Sequence, residues 1–363
     1  MTRADRVARV RSRMDEVGVD ALLVSLGADL PWLTGYEAMP LERLTMLVLP
    51  ADGDATLVVP QLEAPRVEED RALFSVRAWS ETEDPVEIVA GLARGRRRLA
   101  ISDRTWAVFL LRLQAVLPAE WRPASEVTSP LRAVKDEAEV AALRRAGATA
   151  DRVAAQLQHG DIALVGRTEA EVSADIGHRL RAEGHQRVNF AIVGSGPNSA
   201  SPHHEPGSRR IGPGEAVVCD FGGTLDGYCS DITRTVFTGE PPDAFSELYA
   251  VLHGAQAAAV RSALVGTPCE EVDAVARGII ADAGYGPHFI HRTGHGIGLE
   301  EHEDPYLVSG NAEPLAAGHA FSVEPGIYLE GRWGARIEDI VVATEAGPEP
   351  LNAVPHELAV VTS

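Results

Sequence analysis

The segment Ala216 to Gly239, AVVCDFGGTLDGYCSDITRTVFTG, constrains this chain more than any other stretch of it. Its first arm, Ala216 to Phe221, is apolar and β-rich, Asp226-Gly227 is a strong hairpin-turn pair, and the second arm, Tyr228 to Phe237, carries alternating Thr and Val. A turn centred on Asp226-Gly227 sets Asp220 opposite Thr233 and makes Asp231 its diagonal neighbour on the same face. Two carboxylates then share one side of a largely buried ribbon. They cannot both stay ionised there unless something positive lies between them, and a metal ion is the simplest such charge. A single aspartate in a Gly-rich segment is ordinarily a solvated turn residue, so the pair becomes informative only with further ligands elsewhere.

The length of 363 residues and the 45% hydrophobic content suffice for two domains with separate cores. No run of 18 apolar residues is present, so no membrane-spanning segment is expected. The charged start MTRADRVARVRSRMDEVG lacks the apolar stretch of a secretory signal, and the expected location is the cytoplasm. Three cysteines, Cys219, Cys229 and Cys269, without CxxC spacing, argue against a disulfide framework or a thiolate zinc site. The formal net charge of -20 has the wrong sign for holding a nucleic-acid backbone and is explained by solubility.

Along the chain, a helix is predicted over Asp5 to Val17 and a strand over Ala21 to Ser25, followed by a loop with two aromatics, Trp32 and Tyr36. Strands at Thr45–Leu49, Ala55–Val59, Leu73–Trp79 and Leu99–Ser102, with helices at Pro85–Leu92 and Thr105–Leu117, complete an alternating β/α domain. The basic run Arg94 to Arg98 reads as a solvated helix end. The Pro- and Ser-containing stretch Trp121 to Pro130 reads as a linker, which sets the domains at residues 1–128 and 129–363. A long helix over Lys135 to His159 opens the second domain.

Inside that domain AEVSADIGHRLRAEG and EEVDAVARGIIADAG match at an offset of 100, with Glu171, Val172, Ala174 and Gly184 recurring as Glu271, Val272, Ala274 and Gly284. Thr168 and Thr267 are the expected helix N-caps, and a glycine closes each copy. Any two Ala-rich amphipathic helices share some of this pattern, but the context around each copy also repeats, which implies two related halves.

The segment HFIHRTGHGIGLEEHEDP then supplies His291, His295 and His302. The first two have the spacing of a helical zinc motif, but Arg292 stands where that motif needs Glu, and Gly294, Gly296 and Gly298 disfavour a helix, so an irregular Gly-rich turn is expected. Two apolar strands follow, AFSVEPGI with Glu324 embedded and RIEDIVV with Glu338 at its beginning; each glutamate is costly there unless neutralised. Asp220, Asp231, His295, Glu324 and Glu338 form the candidate ligand set. Its four carboxylates are balanced by two divalent cations. Oxygen-rich ligation with one imidazole suits manganese, with cobalt, iron or zinc as alternatives.

DFGGTLDGYCSDITRT, GSGPNSASPHH from Gly194 to His204, TGHGIG, VEPGIY and RIEDIV together resemble the pita-bread metallopeptidases, in particular the proline-specific branch of prolidases and Xaa-Pro aminopeptidases. The resemblance covers essentially the whole chain. It implies an α/β (α+β) chain, with a creatinase/prolidase-like N-terminal domain before a pita-bread domain with a pseudo-twofold internal repeat. By position, Asp220 would bind one ion, Asp231 and Glu338 would bridge, and His295 and Glu324 would bind the other. His203 would contact substrate, His302 would lie near the scissile carbonyl, and His291 would be a further pocket histidine. Arg336 would stand behind the ligands and among the substrate contacts, while the role of His204 stays open. Glu324 is the expected proton shuttle and protonated His302 the expected oxyanion partner, so that Glu324, His203 and His302 form the catalytic set.

The bond before proline is a tertiary amide without an N–H, which calls for a pocket shaped to the ring; His203, His291 and Trp32 or Tyr36 are its expected walls. The implied substrate is a small peptide with proline in second position, and the implied assembly is a homodimer. A prolidase acting on dipeptides is the leading expectation, and an Xaa-Pro aminopeptidase acting on longer peptides is its nearest alternative. A metal-free hydrolase, a metal-dependent lyase or a binding protein on the same scaffold are the alternatives of another class.

Overall fold

The structure is a computed structural model that describes residues 1–362. It divides into two compact units, Met1–Arg132 and the chain from Ala133 onward.

The first unit opens on the helix Arg3–Val17. A Thr2/Asp5 capping box starts it, Gly18 ends it at φ 73°, and Val7, Val10 and Met14 form its buried stripe. A six-stranded mixed sheet runs in the spatial order Phe74–Trp79, Ala55–Pro60, Met46–Pro50, Ala21–Val24, Arg98–Ile101, Glu120–Pro123. Two expectations fail in this unit. The stretch around Trp32 is a short helix, Asp29–Thr34, because Pro31 falls in its first turn, where a missing N–H costs nothing. Trp32 and Tyr36 are buried in their own unit, beneath the Arg6 guanidinium and against Glu63, so both pack as core residues of that unit. The expected linker is also structured. Glu120–Pro123 is an edge strand parallel to Arg98–Ile101, and Ser125–Ala133 is a helix whose Thr128 and Arg132 both donate to Asp29 at 2.9 Å. Its prolines and serines belong to a strand end and a helix, and the unit therefore extends to Arg132.

The second unit carries the repeat. Helices Glu169–Ala182 and Cys269–Asp282 bury the same face at an offset of 100, Val172, Ile176 and Leu180 in one and Val272, Ala276 and Ile280 in the other. Each of these larger side chains contributes about 1.5–3 kcal/mol of burial. Backbone bonds around the helices recur as well, with donors offset by 100 and acceptors by 104. Gly166 and Gly266 donate to Ile211 and Leu315, while Ala170 and Glu270 donate to Gly207 and Asn311. The two helix starts differ. Thr168 caps its helix with a full capping box, whereas the second helix begins after Pro268 without a side-chain cap, so Thr267 does not have the expected role.

Each half has its own sheet and core. The first sheet has the order Ala359–Val361, Tyr228–Thr238, Ala216–Leu225, Arg187–Ser195, and the second Glu303–Leu307, Gly294–Gly296, Ala320–Val323, Asp339–Thr344, Gly347–Pro350. The central hairpin has the predicted register, Asp220 opposite Thr233, with Asp226 and Gly227 both left-handed at φ 51° and 83°. An antiparallel bridge, Thr233 to Glu338, joins the first sheet to the segment that enters the second. That bridge lies beside the candidate site.

Candidate metal centre

The nine residues of the expected ligand, catalytic and substrate-binding sets line one cavity of about 500 Å³: Asp220, Asp231, His295, Glu324, Glu338, His203, His291, His302 and Arg336. The hairpin contributes Asp220 and Asp231 from adjacent strands. His295 lies on a short strand, Gly294–Gly296, and not in the expected irregular turn. The flanking glycines make this strand feasible, since a Cβ at Gly294 or Gly296 would land on the carbonyl oxygen of Ser322 or Asp304 in the strands beside it. Glu324 and Glu338 also differ from expectation. The apolar runs break at them: Ala320–Val323 ends before Glu324, and Glu338 falls between Trp333–Arg336 and Asp339–Thr344. Side chains at a strand break are released from strict alternation, which lets both turn toward the hairpin carboxylates.

The donor atoms are arranged for cations. One ligand atom each from Asp231, His295 and Glu338 lies within 4.8 Å of the others. Asp220 Oδ1, Asp231 Oδ1 and Glu338 Oε1 are buried without a hydrogen-bond partner, which is costly for any carboxylate oxygen left so. His295 Nδ1–H donates to the Gly296 carbonyl at 3.0 Å, so the lone pair of Nε2 faces inward, 3.3 Å from Glu324 Oε1. Burial, then the positive charge near His302 and Arg292, holds the His295 pKa down to about 3, which keeps the imidazole in its ligating neutral form.

The carboxylates move the other way. Burial, followed by repulsion from Glu338 and Asp220, pushes Asp231 well above the usual carboxylate range; burial and then Glu324 do the same to Glu338. Glu324 is raised by burial to about 7. These residues fit a divalent metal centre: four crowded carboxylates, three of them with an orphaned oxygen, need positive charge, and Arg336 hydrogen-bonds only Asp220 among them.

That arginine is Arg336. Its Nη2 donates to Asp220 Oδ2 at 2.5 Å, Nε to Thr233 Oγ1 at 3.1 Å, and Nη1 to Tyr328 Oη at 2.8 Å and to the Pro202 carbonyl at 3.3 Å. Four of the five N–H groups of the buried guanidinium are thus engaged by protein, so Arg336 positions Asp220, and one N–H of Nη2 is the donor left for the expected substrate contact. Thr233 Oγ1 in turn donates to Glu338 Oε2 at 2.6 Å. His291 is also committed. Nδ1–H donates to the Arg292 carbonyl at 2.7 Å and Nε2 accepts from Tyr328 at 2.9 Å, so it offers the cavity a ring face and no hydrogen bond. Burial holds its pKa near 3.

The His302 ring lies against His295, tilted by 39° with ring centroids 3.9 Å apart, and its Nδ1 accepts from Arg292 Nη2 at 3.2 Å. Because guanidinium can only donate, the His302 proton sits on Nε2 in the neutral ring. Burial, then Arg292, lowers its pKa, which works against the expected protonated form and favours the neutral ring as an Nε2–H donor. His203 is exposed at the cavity wall, and its ring has no partner among the described residues. The neighbouring His204 is structural: its Nε2 donates at 2.7 Å to buried Glu169, which also accepts from Ser195 and Asn198 and so anchors the Gly194–His204 segment. Arg292 and Glu301 also line the cavity. Sequence reasoning met Arg292 only as the residue that spoils the zinc motif, and neither it nor Glu301 carries a local signal of function.

Comparison with known proteins accords with this geometry. Residues 141–345 match the model of metallopeptidase family M24, and residues 6–134 match the creatinase/prolidase N-terminal domain. The chain belongs to metallopeptidase family M24. Among M24 relatives, the probable dipeptidase PepE of Mycobacterium tuberculosis is 45% identical over 99% of this chain and 96% of its own. The crystal structure of dipeptidase PepE from Mycobacterium ulcerans superposes with a TM-score of 0.93 at 47% identity, covering 99% of this chain and 98% of that one. The recombinant prolidase from Thermococcus sibiricus gives a TM-score of 0.94 at 36% identity over 100% of both chains. The fold is therefore that of the pita-bread metallopeptidases, with a creatinase/prolidase-type first unit. Among the described residues no helix is long and apolar enough to cross a membrane.

Proposed function

We propose that this M24 metallopeptidase is a prolidase, hydrolysing Xaa-Pro dipeptides with two divalent metal ions, manganese foremost, held by Asp220, Asp231, His295, Glu324 and Glu338. The observation that supports this reading most is the convergence of three orphaned carboxylate oxygens and the inward Nε2 of His295 in one cavity. The prolidase and dipeptidase names of its relatives supply the substrate class. A cytoplasmic homodimer is part of the same proposal.

Two such ions, when bound, supply Lewis acidity and a hydroxide nucleophile near neutral pH. The chain's own residues do the rest. Glu324, 3.3 Å from His295 Nε2 in the ligand cluster, is placed to take a proton from water and return it to the imino nitrogen of the departing proline. His302 presents Nε2–H to the oxyanion that develops on the scissile carbonyl. His203, with a free ring, contacts the substrate from the opposite loop. Arg336, through Asp220, and Thr233, through Glu338, hold two carboxylates in place.

The decisive experiment strips the protein of metal, restores manganese, and follows cleavage of Ala-Pro beside Ala-Pro-Ala, with Asp231→Asn as control. Metal-dependent turnover of the dipeptide alone is expected. Preferential cleavage of the tripeptide would move the assignment to Xaa-Pro aminopeptidase, and cleavage of neither by metal-loaded protein would reject the peptidase specificity altogether.

A further inference from the structure

We infer that Glu301 sets the preference for the residue before proline, and that its carboxylate selects dipeptides whose first side chain is cationic, lysine or arginine. The inference rests on the prolidase reading and names the substrate class within it.

Five carboxylates line the cavity: Asp220, Asp231, Glu324, Glu338 and Glu301. The first four belong to the expected ligand set. Glu301 is partly buried, and its side chain has no hydrogen-bond or ion-pair partner among the described residues. A carboxylate left so in a cavity wall is open to an incoming cation.

The hairpin register fixes where it stands. From the ligand cluster toward the turn, successive rows on the cavity face are Ile192, Asp220 and Thr233, then Phe190, Gly222 and Asp231, then Thr224 and Cys229. The Phe190 ring lies over Gly222, where a Cβ would come within 2.9 Å of Phe190 Cζ, so an apolar surface begins beside Asp231. Glu301 belongs to the Cys229 row. Cys229 N–H donates to the Gly298 carbonyl at 2.8 Å and its Sγ–H to the Leu299 carbonyl at 3.7 Å, which ties the segment before Glu301 to this end of the hairpin. Burial, then the Glu301 charge, pushes the Cys229 thiol up. Arg187, which acts on the same thiol, is engaged by Asn189 at 2.9 Å and Thr224 at 3.1 Å. Glu301 therefore stands one row, roughly 7 Å, beyond Asp231 and past the Phe190 ring.

That arrangement fits one kind of side chain. In an Xaa-Pro dipeptide the second side chain is a closed ring, so only the first residue can extend away from the ligand cluster along Phe190. A lysine or arginine lays its methylene stem on the apolar ring and ends in a cation at Glu301. An aliphatic first residue covers the same wall but leaves the carboxylate unpaired, and an acidic one meets a like charge.

The test compares Lys-Pro with norleucyl-Pro, which has the same stem without the ammonium, and with Glu-Pro, on manganese-loaded wild type, Glu301→Gln and Glu301→Lys. Wild type should favour Lys-Pro over norleucyl-Pro in kcat/KM by about 10- to 100-fold, the range of one charge-assisted contact. Glu301→Gln should bring that ratio near unity, and Glu301→Lys should favour Glu-Pro over Lys-Pro. Calorimetric titration gives the equilibrium counterpart: wild type should bind L-lysine more tightly than L-norleucine, and Glu301→Gln should bind both alike. A wild-type ratio near unity would reject the inference without recourse to any variant. So would a ratio that survives in Glu301→Gln, since equal losses on both substrates mark a contact to the α-ammonium that every dipeptide carries. Failure of the wild type on every Xaa-Pro substrate, Ala-Pro included, would instead overturn the prolidase reading, and this inference with it.

Discussion

Arg336 Nη2 lies 2.5 Å from Asp220 Oδ2, 116 residues away in the chain, with both side chains buried. The pairing leaves Asp220 Oδ1 unpartnered in the cavity lining, so the arginine fixes which oxygen is offered to a cation. Replacing Arg336 with methionine removes that orientation. Affinity for divalent metal, read by competition with a chelating dye, should fall by about 10- to 100-fold. Arg336→Lys should fall between, since it keeps the charge without the planar fork. Unchanged metal affinity in both variants would show that Asp220 needs no such support.

The crowded carboxylates predict how the metal-free protein responds to pH. Glu324 has a folded-state pKa of about 7 against an ordinary value of 4.5, and Asp231 and Glu338 are raised as well. In that window the folded chain holds more protons than the unfolded chain, so stability falls as pH rises. Urea unfolding of stripped protein should therefore show declining stability from about pH 5 to pH 7, a decline that saturating manganese abolishes by replacing protons with cations. Rising stability of the stripped protein across the same window would contradict the proposed crowding.

Adjacent histidines should behave oppositely. His203 is exposed and unpartnered, so His203→Ala should change stability by no more than about 0.5 kcal/mol while lowering kcat/KM tenfold or more. His204 donates to buried Glu169, so His204→Ala should cost about 1–3 kcal/mol of stability and affect turnover less. Thermal melts and kinetics on the two variants check both halves, and the reverse pattern would exchange their roles.

Tyr328 joins two committed side chains, accepting from Arg336 at 2.8 Å and donating to His291 at 2.9 Å. Tyr328→Phe should cost about 1–3 kcal/mol through the unpaired imidazole and guanidinium groups. It should also slow turnover while leaving metal content intact, measured by elemental analysis. Loss of bound metal would mean that the hydroxyl supports the ligands more directly than its contacts indicate.

Much of the site was legible because its signals are local. The Asp226-Gly227 turn and the alternation on both arms specify the hairpin register, and with it the shared face of Asp220 and Asp231. Carboxylates and histidines in apolar or Gly-rich surroundings marked the remaining ligands. Local signals also misled. Pro31 hid a helix, the prolines of residues 121–130 suggested a linker, and apolar runs around Glu324 and Glu338 read as continuous strands although each breaks there.

The sequence by itself determined the two-unit α/β architecture, the internal repeat and the identity of the candidate ligands, because turn chemistry, periodicity and residue type act over a few neighbouring positions. Only the tertiary structure decided what each polar group does. Arg336 reaches Asp220, Thr233 reaches Glu338 across 105 residues, His204 is claimed by Glu169, and Arg292 donates to His302. A hydrogen bond forms only when donor and acceptor meet at about 3 Å, and for residues this far apart in the chain that meeting is set by how the two sheets join.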